Sequence, residues 1–229
     1  MNFQAAIFDM DGLLLDTERV CMRVFKQACE TLNLTFHEEI YLSIIGRNAS
    51  GIELILRQAY GDDFPQLHSA WRLGYDAEIK HRAIEVKAGV IELLEWLKHH
   101  KVPTAVATST QKELASIKLK LAGLDHYFDL LTAGCEVSQG KPDPEIYLLA
   151  AQRLRVDPTK CLAFEDSNNG ARSAVAAGMR TYQVPDLVSP SEEVLALGHV
   201  VIPSLREAIR VITQDAHVFT PHNSSYIIQ

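Results

Sequence analysis

Apolar and polar residues follow two different patterns along the chain, and the pattern changes near residue 87. Beyond that point, short apolar runs with little polar alternation predict buried strands, and they alternate with segments of helical spacing. These predicted strands span residues 102–108, 128–132, 160–164, 180–184 and 199–202, and a further strand at residues 5–8 precedes the change. The predicted helices span residues 89–99, 111–122, 144–154, 169–177 and 205–212. Repeated strand–helix units of this size predict an α/β protein whose parallel sheet has helices on both faces.

Residues 17–86 show helical spacing and contain no convincing strand, which predicts a small helical bundle inserted after the first strand. Its predicted helices span residues 17–32, 38–45, 50–60 and 65–79. Trp71 and Tyr75, one helical turn apart, are expected in the interior of this bundle. The predicted division is a Rossmann-like core at residues 1–15 and 87–213, an all-helical insertion at 16–86, and a tail at 214–229 with no assigned element.

Composition and charge narrow the classes of partner. The chain has 229 residues, of which 47% are hydrophobic and 22% charged, as expected for a globular enzyme. The formal net charge is −7 and no lysine or arginine cluster is present, which argues against a nucleic acid as partner. A small phosphorylated substrate is still compatible with this charge, because a metal ion and one or two local cations dominate at contact range.

Cysteine usage and hydropathy suggest a cellular setting. The four cysteines, Cys21, Cys29, Cys135 and Cys161, share no C-x-x-C spacing, so we expect them to be reduced and packed. No apolar stretch reaches membrane-spanning length, and the N-terminus lacks the layout of a signal peptide. We therefore expect a cytoplasmic protein that does not contact a membrane, present as a monomer or weak dimer.

Charged and polar residues gather where the predicted strands end. Asp9 and Asp11 follow the first strand, and an unpaired carboxylate is costly to bury in such a place. The other candidates are Thr108, Ser109 and Thr110 after the second strand, Lys141 in a turn before a helix, and Glu165 and Asp166 after a later strand. Because ligand sites in parallel sheets lie beyond the carboxyl ends of the strands, we expect these side chains to form one site.

These residue types suit phosphoryl transfer through a carboxylate nucleophile. Asp9, Asp11 and Asp166 offer hard oxygen ligands for Mg²⁺, and the backbone N–H groups of Ser109 and Thr110 are expected at a helix start, which is a natural anion site. Each residue also has a purely structural explanation: Thr108 and Ser109 can cap a helix, Lys141 can be an exposed turn residue, and Asp166 can belong to an ordinary loop. We favour the site because all of these coincidences would have to hold together.

The same residues carry a resemblance to a known family. The chain resembles the haloacid dehalogenase superfamily of phosphohydrolases, in the branch with a helical cap inserted after the first motif, which includes β-phosphoglucomutases and pseudouridine-5′-phosphatases. The matching segments are residues 9–18, 106–109, 140–144 and 164–170, in the order and spacing of the family motifs. The resemblance covers about residues 1–213 and implies that the inserted helices form a cap over the core.

The resemblance implies a role for each acid. Asp9 would be the nucleophile that forms an aspartyl-phosphate. Asp11 would protonate the leaving oxygen and then activate the water that cleaves this intermediate. The carboxylates of Asp9 and Asp166 and the backbone carbonyl of Asp11 would hold Mg²⁺, with Glu165 supporting the ion directly or from behind.

The resemblance also implies which residues bind the substrate. Thr108, Ser109 and Lys141 would bind the transferring phosphoryl group. Arg47 and Asn48 lie between two predicted cap helices, where family members place a loop that faces the substrate. Arg47 can equally be a solvated loop residue, and the sequence does not separate the two possibilities.

Three activities share this family fold, and the sequence separates them in part. A dehalogenase needs the first carboxylate but neither Asp11 nor Asp166, so the presence of both argues against it. Mutases of the β-phosphoglucomutase type carry a histidine at the position of Cys21, and cysteine cannot replace it as a proton shuttle. We therefore predict a Mg²⁺-dependent phosphatase of a small phosphorylated metabolite (a sugar, polyol or nucleoside phosphate). A phosphomutase is the first alternative and a catalytically silent metabolite-binding module the second.

Overall fold

Six parallel strands form one sheet at the centre of the protein. The computed structural model describes residues 2–45 and 49–218, with backbone only for residues 49, 50 and 215–218. The strands are β1 (Ala5–Phe8), β2 (Thr104–Thr108), β3 (Leu130–Ala133), β4 (Cys161–Glu165), β5 (Arg180–Gln183) and β6 (Val200–Val201). Their order across the sheet is β3-β2-β1-β4-β5-β6, and every pair is parallel. The predicted α/β class with a Rossmann-like sheet is confirmed.

Strand β1 occupies the middle of the sheet, which explains its uninterrupted apolar sequence. It pairs with β2 on one side and with β4 on the other, and all four of its residues are buried. Successive side chains point to opposite faces, so Ala6 and Phe8 join one hydrophobic cluster while Ala5 and Ile7 join another. A strand buried on both faces cannot alternate with polar residues, and its first polar group therefore comes at its end.

The helices agree with the predicted pattern, with two differences near the C-terminus. They are α1 (Thr17–Thr31), α2 (Glu38–Ile44), α3 (Ala49–Tyr60), α4 (Phe64–His81), α5 (Val90–His99), α6 (Lys112–Leu121), α7 (Glu145–Leu154), α8 (Asn168–Ala176), α9 (Glu192–Leu195) and α10 (Ala208–Val218). Helix α9 was not predicted because four residues are too few for a helical period. Helix α10 continues past residue 212 into the segment that had no predicted element. Its buried residues Ala208 and Ile212 pack against the core. The sequence after residue 212 is largely polar, so it did not predict that the helix continues.

Helices α1 to α4 have a hydrophobic cluster of their own, separate from the two clusters on the sheet. Trp71 belongs to it and meets the ring of Phe25 edge-on, with ring centroids 5.0 Å apart. Tyr75 was also expected in the interior of the bundle. It packs instead against both this cluster and the larger of the two sheet clusters. Tyr75 thus lies where the inserted helices meet the core.

The two chain segments that connect the inserted helices to the core run side by side. Leu15 and Val86 form an isolated antiparallel bridge between them. Asp186, in the loop after β5, accepts a hydrogen bond from Arg19 at 2.7 Å and another from Lys87. The buried Asp186 carboxylate therefore binds both connecting segments to the loop after β5.

The cysteines and helices bear on the expected cellular setting. All four cysteines are free thiols, and Cys29 and Cys161 are buried as expected. Cys135 is exposed, so the expectation that all four are packed is wrong; it lies in a turn after β3, outside the sheet. Among the described residues, no helix combines the length and apolar character that crossing a bilayer requires.

Candidate active site

A cavity of about 430 Å³ opens beyond the carboxyl ends of the central strands, as the parallel topology requires. The predicted residues that line it are Asp9, Asp11, Thr108, Ser109, Lys141 and Asp166. Glu165 is the last residue of β4 and is fully buried behind this wall. Arg47 and Asn48 lie outside the described residues. The structure thus brings the residues of all four motifs together around one cavity.

Lys141 joins two of the acids at the base of the cavity. Its ammonium donates to Asp9 Oδ1 at 2.5 Å, to Glu165 Oε1 at 2.6 Å and to the carbonyl of Ala107 at 3.0 Å. The Lys141 side chain is only 7% exposed. The alternative that Lys141 is an exposed turn residue is therefore wrong.

Glu165 is held on both carboxylate oxygens. Oε1 accepts from Lys141 and from the hydroxyl of Tyr147, and Oε2 accepts from the backbone amides of Asp166 and Ser167 and from the Ser167 hydroxyl. Burial opposes ionisation of Glu165, but Lys141 and the other donors outweigh it and hold its pKa below the usual value. Glu165 therefore acts as a fixed anion that anchors Lys141.

Three carboxylates approach one another closely enough to share a cation. One oxygen from each of Asp9, Glu165 and Asp166 lies within 4.8 Å of the others. Burial raises the pKa of Asp9 and of Asp166, and the neighbouring carboxylates raise both further. A hard divalent cation would relieve this repulsion, and oxygen-only donors suit Mg²⁺. Because both Glu165 oxygens are already engaged by protein donors, Asp9 and Asp166 are the better ligands.

The carboxylate of Asp11 has separate partners and is not part of that group. Oδ1 accepts from the Lys118 ammonium at 2.7 Å, and Oδ2 accepts from the Thr110 hydroxyl at 2.6 Å and from the Thr108 hydroxyl at 3.4 Å. Burial opposes ionisation, but Lys118 and Thr110 outweigh it and lower the pKa of Asp11. Only the backbone carbonyl of Asp11 remains as a candidate metal ligand, which is the atom that the resemblance implies.

The loop after β2 differs from the expected anion site. Helix α6 begins at Lys112, so Ser109 and Thr110 lie before the helix and not at its start. The Thr110 amide donates to the Thr108 hydroxyl at 3.1 Å, so it is not available to a phosphate in this arrangement. Ser109 lines the cavity, and Gly134 packs so closely that a Cβ there would lie 2.3 Å from the Ser109 carbonyl oxygen. We expected the backbone amides of Ser109 and Thr110 to bind an anion at the start of a helix. This expectation is wrong for Thr110.

Glu18 was not predicted and also lines the cavity. Burial and, to a smaller extent, the nearby carboxylates of Asp11 and Asp186 together raise its pKa to about 7. Glu18 belongs to the first turn of α1, where an acidic residue is expected from helix electrostatics alone. Because helix electrostatics alone accounts for an acid at this position, the sequence did not indicate that Glu18 lines the cavity.

The other residues that the sequence did not reveal act from behind the wall. Tyr147 supports Glu165, and Lys118 holds Asp11 together with Thr110, which was already among the candidates. A signal for Lys118 did exist: Lys118 and Leu119 follow Ala115 by three and four residues, the spacing of one helix face, and all three are buried. A lysine on an apolar helix face needs a buried partner, so this pattern could have indicated that Lys118 is buried, but not that its partner is Asp11.

Comparison with known proteins agrees with the motifs. A family model described as haloacid dehalogenase-like hydrolase matches residues 6–184. A phosphorylated carbohydrates phosphatase from Thermotoga maritima is 32% identical over 213 residues, which make up 92% of this chain and 99% of the relative. A probable pseudouridine-5′-phosphatase from Drosophila melanogaster is 35% identical over 79% of this chain and 80% of the relative.

A solved structure shares the fold over nearly its whole length. The crystal structure of a putative β-phosphoglucomutase from Thermotoga maritima superposes with a TM-score of 0.77 and 32% identity, covering 92% of this chain and 99% of that one. Identity and coverage at this level extend to both the sheet and the inserted helices. The chain therefore belongs to the haloacid dehalogenase-like hydrolase family, and the prediction that it is an enzyme, a hydrolase, is confirmed.

Proposed function

We propose that the protein is a Mg²⁺-dependent phosphatase that releases phosphate from a small phosphorylated sugar, polyol or nucleoside through an aspartyl-phosphate on Asp9. The observation that carries this proposal is the contact of Lys141 with Asp9 at 2.5 Å, beside Asp166, at the base of the cavity. Relatives named as phosphatases of phosphorylated carbohydrates and of pseudouridine 5′-phosphate support the class of substrate.

The proposed reaction has two steps at one phosphorus atom. In the first, an Asp9 oxygen forms a bond to phosphorus and the bond from phosphorus to the leaving oxygen breaks. Asp11 gives that oxygen a proton, so this step requires Asp11 to be protonated in the enzyme–substrate complex, although Lys118 and Thr110 favour its ionised form in the free protein. In the second, Asp11 takes a proton from water, the water oxygen attacks phosphorus, and the bond to Asp9 breaks. Phosphate leaves and both aspartates return to their starting states.

The surrounding residues bind and neutralise the phosphoryl group. Lys141, Thr108 and Ser109 line the cavity beside Asp9 and supply one cation and two hydroxyls. Mg²⁺ bound by Asp9, Asp166 and the Asp11 carbonyl would offset the phosphate charge as the anionic nucleophile approaches. Glu165 keeps Lys141 in place, and the low pKa of Glu165 preserves its charge for this purpose.

A phosphomutase is the second candidate, because the similar structure from Thermotoga maritima is named a putative β-phosphoglucomutase. We favour water over a sugar hydroxyl as the acceptor because Cys21 occupies the position of the mutase histidine. Burial raises the pKa of the Cys21 thiol to about 11, so it stays neutral and does not exchange protons near pH 7.

The test is a panel of phosphorylated sugars, polyols and nucleotides assayed with Mg²⁺ for release of inorganic phosphate. We expect Asp9→Asn to lower kcat at least about 10³-fold, because the amide is not a nucleophile. We expect EDTA to abolish activity and added Mg²⁺ to restore it. Asp62→Asn, which changes an exposed aspartate on the inserted helices, is the matched control and should retain full activity.

Each outcome separates the candidates. Turnover that survives both Asp9→Asn and EDTA would contradict the proposal. Isomerisation of a hexose 1-phosphate to the 6-phosphate that requires a bisphosphate activator, without phosphate release, would favour the mutase. Absence of release from every ester in the panel would favour a binding module.

A further inference from the structure

Lys118 on α6 is a buried lysine next to the reacting acids. Its side chain is 2% exposed, whereas Lys120 on the same helix is exposed. Burying an ammonium group is costly unless an opposite charge compensates it, and lysine is seldom fully buried without such a partner. The partner here is the carboxylate of Asp11, 2.7 Å away.

Lys118 and Thr110 hold the two oxygens of Asp11 separately. Lys118 binds Oδ1 at 2.7 Å and Thr110 binds Oδ2 at 2.6 Å, so the carboxylate cannot rotate without breaking one of these bonds. Asp11 lies in a loop after β1, and the next residue, Gly12, has a left-handed backbone with φ +87°. The Asp11 backbone is held by an isolated bridge to Leu15, and Lys118 and Thr110 fix the orientation of its side chain.

Tyr75 on α4 holds Lys118 from the side of the inserted helices. The Lys118 ammonium donates to the Tyr75 hydroxyl at 3.3 Å and lies 5.5 Å from the centre of its ring. Tyr75 packs against both the sheet cluster and the cluster of the inserted helices. The chain of contacts Tyr75–Lys118–Asp11 therefore links the insertion to the core at the proposed acid–base residue.

We propose that Lys118 is a positioning residue that orients the Asp11 carboxylate for proton transfer to the leaving oxygen, and that Tyr75 holds Lys118 in place. The inference rests on the proposed acid–base role of Asp11. Lys118 does not line the cavity, so it acts through Asp11 and not on the substrate. Proton transfer needs donor and acceptor within hydrogen-bond distance, so a rotated Asp11 would fail at this step.

The experiment varies the leaving group. An alkyl phosphate needs a proton on its leaving oxygen, whereas p-nitrophenyl phosphate releases p-nitrophenolate, a stable anion that leaves without one. We compare kcat/KM, which reports the transfer of the phosphoryl group to Asp9, for p-nitrophenyl phosphate and for the most active alkyl phosphate of the panel. Lys118→Met should lower kcat/KM about 10²-fold for the alkyl ester and less than about 5-fold for the aryl ester.

Two further variants control this measurement. Tyr75→Phe keeps the ring but removes the hydroxyl, and should lower kcat/KM about 3- to 10-fold for the alkyl ester with little effect on the aryl ester. Lys120→Met removes an exposed lysine from the same helix and should leave both values unchanged. Circular dichroism and thermal unfolding establish that each variant is folded, and Tyr75→Phe provides the test if Lys118→Met does not fold.

Asp11→Asn, measured in parallel, separates failure of this inference from failure of the proposed function. If Asp11→Asn loses activity selectively on the alkyl ester and Lys118→Met does not, the positioning role is wrong while the role of Asp11 stands. Equal losses on both esters, or no loss, for folded Lys118→Met would likewise overturn the inference. If Asp11→Asn itself does not discriminate between the esters, the proposed acid role of Asp11 is wrong.

Discussion

Gly170 in α8 is a position where a substitution that usually stabilises a helix should instead destabilise this protein. An added Cβ at residue 170 would lie 1.8 Å from the Glu165 carboxylate, far inside contact distance. Alanine in a helix is favoured over glycine by up to about 1 kcal/mol. Whether Gly170→Ala raises or lowers the free energy of unfolding therefore depends on whether Glu165 can move.

Glu165 cannot move without losing hydrogen bonds. Its carboxylate accepts from Lys141, from Tyr147, from the backbone of residues 166 and 167 and from the Ser167 hydroxyl. Overpacking a rigid site costs about 1–3 kcal/mol, and one hydrogen bond to a charged group contributes about 1.5–3 kcal/mol. After allowance for the helix preference, we expect Gly170→Ala to lower the free energy of unfolding by about 3 kcal/mol.

This change in stability can be measured by urea or thermal unfolding followed by circular dichroism. For a chain of this length, about 3 kcal/mol corresponds to a Tm lower by roughly 6–12 °C. Activity should fall at least about 10-fold as well, because displacement of Glu165 moves Lys141 away from Asp9. A matched control is Gly140→Ala, whose added methyl group meets nothing within 4 Å and should leave Tm nearly unchanged. Gly170→Ala as stable as the wild type would refute the reasoning.

Two further predictions concern buried and partly buried charges. Lys141→Met leaves Asp9 and Glu165 without their cation. We expect it to lower the free energy of unfolding by about 3–5 kcal/mol and kcat at least about 10²-fold. Unfolding and phosphate-release assays that match the wild type would contradict this. Hydrogen bonds from Arg153 lower the pKa of Glu136 from 4.5 to about 2. Because this pKa is depressed in the folded state, the stabilisation is complete above about pH 4.5 and is lost as the pH falls towards 2. We expect Glu136→Gln to be less stable by about 1–2 kcal/mol at pH 7, after allowance for solvent screening, with the difference vanishing near pH 2; a difference independent of pH in urea unfolding would rule this out.

The amino-acid sequence was sufficient to predict the sheet, the helices that follow β1 and most of the residues that gather around the cavity. Strand β1 is apolar throughout because both of its faces are buried, and Asp9 comes where that burial ends. In a parallel sheet the ends of such strands lie together, so a topological rule converts four separate motifs into one site. The interpretation of Asp9, Lys141 and Asp166 as neighbours needed no knowledge of side-chain packing.

The partners of Asp11 and Glu165 could be identified only from the tertiary structure. Lys118 and Tyr75 are distant from Asp11 in the sequence. The helix pattern indicates that Lys118 is buried, but it does not show which residue Lys118 contacts. Which face of α6 and of α4 packs inward depends on long-range contacts, and these contacts bring Lys118 to Asp11 at 2.7 Å and to Tyr75 at 3.3 Å. Periodicity reports which residues share a helix face, but only the assembled core shows which charge that face meets.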